Sequence, residues 1–124
     1  MVFALTEKLA EEILQALENQ EQKFLVDAQN STLVSAENFS ADEYSFFCLP
    51  EWNSSDGFSL MEDFVSTLHS PIAKDELQQI LHSGRGVFRN FKDTLKKYPE
   101  VEKLWHRFKN RKMRLYINGW YNQL

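Results

Sequence analysis

The first clear periodicity along the chain is in "TEKLAEEILQALENQ", where Leu9, Ile13 and Leu17 recur every fourth position among charged and polar residues. That spacing lays one apolar stripe along a helix, with Thr6 as its N-cap and Glu7 at the positive end of its dipole. In "KFLVDAQNSTLVSA" the pattern changes to two short runs of β-formers separated by polar residues. A hairpin is expected, with Asn30 supplying the left-handed conformation that a tight connection needs. "EYSFFCLP" predicts a third strand, stopped by Pro50.

From residue 53 the helical spacing returns. "NSSDGF" offers Ser55 or Asp56 as the cap of a helix carrying Leu60, Phe64 and Leu68. Ser70 and Pro71 open the next helix, whose stripe is Ala73, Leu77, Ile80 and Leu81, and Gly84 stands where a helix commonly ends. "GVFRNFKDTLKKYP" follows, with Phe88, Phe91 and Leu95 expected inside. Pro99 and Glu100 begin a last helix bearing Val101, Leu104, Trp105 and Phe108. Lys112 then occupies the next inward position, and a new stripe runs through Met113, Tyr116, Ile117, Trp120 and Tyr121. The changeover leaves room for a kink or a second helix. The pattern predicts one α+β domain over residues 1–124: an N-terminal helix, a small antiparallel sheet of about three strands, then a cluster of four or five helices. No internal repeat, low-complexity tract or linker interrupts it.

Composition narrows the class. With 124 residues, 43% hydrophobic and 14% aromatic, the chain can build one modest core without staples. Its single cysteine, Cys48, excludes an internal disulfide and reads as a small buried hydrophobe. No apolar run approaches the roughly 20 residues that span a bilayer. The start, "MVFALTEKLAEE", has neither a basic n-region nor a cleavage site. A soluble cytoplasmic protein with no membrane contact is expected.

Charge divides the chain more sharply than the net −4 suggests. Residues 1–84 hold 15 Asp/Glu against three Lys/Arg, a sum of −12, while residues 85–124 hold three against eleven, a sum of +8. The expectation is that the two halves neutralise each other within the fold, since an acidic protein repels a polyanion at long range. In "HSGRGVFRNFKD" the two glycines read as a joint between helices, because a phosphate loop needs Gly-x4-Gly-Lys-Ser/Thr after a strand. Arg85, Arg89, Lys92 and Lys96 follow at helical spacing on one face, beside a helix N-terminus that could hold an anion. The preferred expectation for Arg85 and Arg89 is pairing with carboxylates such as Glu51, Asp56 or Glu62.

Other chemistry is sparser. Glu51 and Asp56 near Trp52 could form an acid/base pocket, although Asp56 is better explained as a helix cap and Trp52 as an aromatic plug. His69, His82 and His106 lack the convergent spacing of a metal site. No cofactor motif is present. "FRNFKDTLKK" and "FKNRKMR" interleave cations with aromatics, as RNA-binding surfaces do. Those phenylalanines, however, recur at core spacing.

Taken together, the opening helix running into "FLVDAQNSTLV", the segment "LPEWNSSDGFSLMEDFV", the Pro71 helix and "GRGVFRNFKDTLKKYPEVEKLWHRF" resemble the uncharacterised bacterial protein family UPF0158. The last block is the most specific. Where the family's hairpin turn usually carries Thr-Gly, this chain has Asn30-Ser31. The resemblance implies no activity, substrate or cofactor. The functional expectation is therefore a non-enzymatic interaction or regulatory module. Its contact surface would combine the Arg85/Arg89/Lys92/Lys96 face with the aromatic end that carries Trp120 and Tyr121. Another protein is the expected partner, RNA or another anionic ligand the alternative, and a small enzyme built on Glu51 and Asp56 a third reading.

Overall fold

Helix α1 spans Glu7–Glu18 and starts where the sequence places it, with Thr6 Oγ1 accepting from the Leu9 N–H at 3.1 Å. It is the first element of a computed structural model that describes residues 3–19, 22–38 and 45–124. After it come strands β1 (Phe24–Asp27), β2 (Thr32–Ser35) and β3 (Phe46–Cys48). The helices that follow are α2 (Ser54–Ser66), α3 (Pro71–Leu81), α4 (Val87–Leu95) and α5 (Pro99–Asn122). The architecture is α+β. Contacts cluster into two units, Met1–Trp52 with Met113–Leu124, and Asn53–Lys112.

In the first unit the sheet is antiparallel in the order β2-β1-β3. Leu33 and Phe47 flank Val26 in one cross-strand row, and Val26 is fully buried. Alternation along β3 then decides Cys48: with Phe47 turned to the Val26 row, its neighbour points the other way and is exposed. The expected buried thiol is therefore an exposed one. The hairpin also differs by one residue from expectation. Asp27 Oδ1 accepts from the Gln29 and Asn30 N–H groups at 3.0 and 3.4 Å, and Asn30 Nδ2 donates to Asp27 Oδ2 at 2.8 Å. With Asn30 held by that side chain, the positive φ of 51° falls on Ser31. The start of the third-strand run, residues 43–44, lies outside the described residues.

The same unit closes with an aromatic group. Phe3 meets Phe47 of β3 at 5.5 Å and Trp120 and Tyr121 of α5 at 6.2 and 5.1 Å, and the Tyr121 hydroxyl donates to the Phe3 carbonyl. Arg114 of α5 reaches back to α1, with Nη2 2.8 Å from Glu7 Oε2 and Nη1 3.9 Å from Glu11 Oε2. Beneath these contacts lie Leu9, Ile13, Leu17, Met113 and Ile117.

In the second unit, α2 begins with a capping box whose residues differ from the expected cap. Asn53 is the N-cap: its Oδ1 accepts from the Asp56 N–H at 3.1 Å, and Asp56 Oδ2 accepts from the Asn53 N–H at 2.9 Å. Leu60, Phe64 and Leu68 are buried as the stripe predicts. Trp105 of α5 lies between two rings, 5.3 Å from Phe64 of α2 and 5.2 Å from Phe91 of α4, both edge-on. Phe108 adds a further contact with Phe64 at 5.4 Å.

Three residues of the predicted helix stripes lie outside, Tyr116 of α5 among them. Phe88 is 42% exposed because Val87, four residues before the buried Phe91, takes the inward position at the start of α4. Leu104 is 49% exposed, leaving Val101, Trp105 and Phe108 as the inner stripe. Helix α5 does not divide; it is one helix of 24 residues. Its buried positions step by five from Phe108 to Met113, where a single stripe would step by three or four. The break in the stripe thus marks a change of face within one continuous helix.

Trp105→Ala should destabilise the protein by about 3–5 kcal/mol, as large-to-small changes between packed rings do. Leu104→Ala should stay within about 0.5 kcal/mol. Urea denaturation followed by circular dichroism separates the two.

Candidate functional site

Helix α4 carries the residues that the sequence singled out, and its two flanks have different chemistry. The joint before it contains two left-handed glycines, Gly84 at φ 76° and Gly86 at φ 55°, with Arg85 between them. Gly86 is the N-cap of α4, so Arg85 precedes the helix and is not the first member of a helical stripe. Arg89, Lys92 and Lys96 do share a side, roughly opposite the buried Phe91. Arg89 Nε and Lys96 Nζ each lie 4.0 Å from Asp93 of the same helix, with side chains 89% and 72% exposed. Pairing of Arg89 with Glu51, Asp56 or Glu62 is therefore not what the structure has; its carboxylate is a local i,i+4 neighbour. Arg85 and Lys92 form no ion pair among the described residues.

The other flank of α4 faces α3 across a cleft of about 450 Å³. Glu76, Gln79, Ile80 and Ser83 line one wall, and Asn90, Asp93, Thr94 and Lys97 the other. At one end the Glu76 carboxylate takes two donors at once: Lys97 Nζ at 2.8 Å on Oε1 and the Tyr98 hydroxyl at 2.5 Å on Oε2. These bonds hold the Glu76 carboxyl below the usual glutamate range, chiefly through Lys97 and then Tyr98. The same carboxylate raises the Lys97 ammonium and the Tyr98 hydroxyl above their ordinary values. The remaining polar lining is largely committed as well. Gln79 Nε2 donates to Asp75 at 3.1 Å, Ser83 Oγ to the Ile80 carbonyl at 2.7 Å, and Asn90 Nδ2 to the Arg85 carbonyl at 3.4 Å. Sequence spacing did not reveal this network, because Glu76 lies more than 20 residues from both partners.

The other sequence candidates are dispersed. Asp56 spends its carboxylate on the cap of α2, and Glu51 is exposed, with its backbone carbonyl accepting from the Tyr116 hydroxyl. Trp52 packs edge-on against Tyr116 at 5.3 Å. Trp120 and Tyr121 are half-buried in the Phe3 group. In the basic run of α5, Arg111 and Lys112 each lie 5.7 Å from the Phe108 ring centre. Among the described residues no group of His, Cys, Asp and Glu is placed to hold a metal ion. No described helix is long and apolar enough to cross a membrane.

What these features define is an α+β protein with a basic helix face and a self-satisfied polar cleft. Residues 26–124 match the model of the uncharacterised protein family UPF0158, and the chain belongs to that family. A UPF0158 protein of Pseudomonas aeruginosa is 32% identical over 68 residues, which cover 55% of this chain and 44% of that protein. The match thus spans less than half of that relative's length. No solved structure matches the chain.

The stability that Glu76 contributes is present above the ordinary glutamate pKa of 4.5 and is lost as pH falls through its lowered value. Urea midpoints of the wild type and Glu76→Gln should therefore differ at pH 7 and draw together as pH falls below 4.5. The Asp56→Ala change, which removes half of the capping box, should cost about 1 kcal/mol at pH 7 in the same assay.

Proposed function

We propose that the chain is a non-enzymatic interaction or regulatory module that meets an acidic protein partner through the outer face of α4. One observation carries this reading: the cations of that face are not spent inside the fold. Arg89 and Lys96 meet only Asp93, at a distance too long for a hydrogen bond, and Lys92 has no carboxylate partner among the described residues. Arg85, exposed in the joint just before the helix, adds a fourth charge. The aromatic end of α5 contributes less than the sequence suggested, because Trp120 and Tyr121 are engaged with Phe3. A single cysteine with no disulfide partner suits a module of the bacterial cytoplasm.

An acidic protein fits this face better than a nucleic acid. Three or four cations make a small footprint, Asp93 lies within it, and the whole chain carries −4. An acid/base enzyme is not favoured, since Asp56 is held in the cap.

The test titrates labelled oligo-glutamate peptide and labelled single-stranded RNA against wild type and Arg89→Glu/Lys92→Glu. Circular dichroism confirms that the variant is folded. The expected outcome is peptide binding that the double variant weakens by about tenfold or more, with no RNA binding. RNA binding that falls steeply with salt would replace the proposal with polyanion recognition. No binding of either probe would end it.

A further inference from the structure

We propose that α4 is a hinged flap, closed by Glu76, that opens as a unit while α2, α3 and α5 stay folded. The two ends of α4 are built differently from those of its neighbours. At its N-terminal end stand Gly84 and Gly86, both at positive φ, where a residue with a Cβ is strained. Every residue from His82 to Gly86 is exposed, and the Gly86 cap offers no side chain to the first N–H groups of the helix. A Cβ added at Gly84 would meet nothing within 4 Å, so glycine there serves the backbone conformation and not close packing. Two glycines bracketing one exposed arginine give the chain a joint with few side-chain restraints.

The inner face of α4 is also thin. Among its nine residues Phe91, Thr94 and Leu95 are buried, against four large apolar side chains on α2; α3 also buries three, Ala73, Leu77 and Leu81, but no glycine joint precedes it. Phe88, which could have been a further anchor, is turned outward. Lys97 and Tyr98, just beyond the C-terminal end, fasten α4 back to α3 through the single carboxylate of Glu76. That carboxylate accepts from both, so removing it releases two contacts at once. Few buried contacts, a glycine joint held by exposed side-chain hydrogen bonds from Ser83 and Asn90 to the Arg85 carbonyl, and one shared fastening are what a locally opening unit requires. Opening would uncover Phe91, Leu95 and the Trp105 edge that Phe91 covers. The flap does not depend on which partner, if any, the outer face of α4 meets.

Hydrogen exchange of the full chain at pH 7, read by mass spectrometry, tests the proposal. In the wild type, amides of α4 should exchange through openings that leave α2 and α3 protected. Glu76→Ala, which removes both acceptor oxygens, should speed exchange across α4 by about five- to tenfold, with α2 unchanged. If Glu76→Ala fails to fold, Tyr98→Phe removes one of the two bonds and should give a smaller change confined to the same segment. Exchange of α4 in step with α2, or a uniform rise across the chain in the folded variant, would overturn the proposal.

Discussion

The second unit is organised by Trp105, which packs on Phe64 to join α5 to α2 and receives Phe91 of α4 on its other side. One indole, 6% exposed, ties α5 to both α2 and α4. Aromatic edges meeting at about 5 Å combine large apolar burial with a preferred ring geometry, so this contact specifies orientation as well as contributing stability. Phe108 extends the group along α5 to the same Phe64 ring. Remove the indole, and α4 retains mainly Leu95, Thr94 and the Glu76 fastening. The polar cleft and the basic face both exist because Phe91 is anchored there: α4 has one side in the core, one toward α3 and one toward water.

This arrangement explains why the charged residues of α4 are not equivalent. Lys97, at the cleft, is absorbed by Glu76, and Tyr98 shares the same carboxylate. Among the described residues Arg89 and Lys96 find only Asp93 one helical turn away, and exposed pairs of that kind are worth little. The division of charge along the sequence is thus resolved in two ways. Part of it is neutralised by tertiary contacts, as with Lys97–Glu76 and Arg114–Glu7, and part remains facing solvent on α4.

Periodicity carried most of the element assignments because burial repeats at 3.6 residues on a helix and at two on a strand. Thr6, by its side-chain hydroxyl, and Pro71 and Pro99, by their fixed φ, stand where local chemistry puts them, at helix starts. Errors arose where a side chain's fate depends on a competitor. Phe88 lost its inward place to Val87, and Asn30 ceded the left-handed position to Ser31 once Asp27 held it. Ser55 and Asp56 both resemble caps locally, yet Asn53 takes the role because Asp56 is spaced to return the bond as the N3 residue. Arg85 fits helical arithmetic, but the positive φ of Gly86 ends the arithmetic one residue after it.

By itself, then, the sequence determined the α+β class, the order of the elements, the helix stripes and the family. Each follows from interactions among residues within a few positions of one another or from an ordered run of motifs. Tertiary structure alone decided which charges are spent and which are free. It also decided that α5 continues through the break in its stripe. A carboxylate such as Glu76 has no local signal for partners more than 20 residues away. A helix can present a second face after a five-residue step only if something apolar is there to receive it. Those outcomes depend on what folding brings opposite each side chain, which spacing along one element cannot encode.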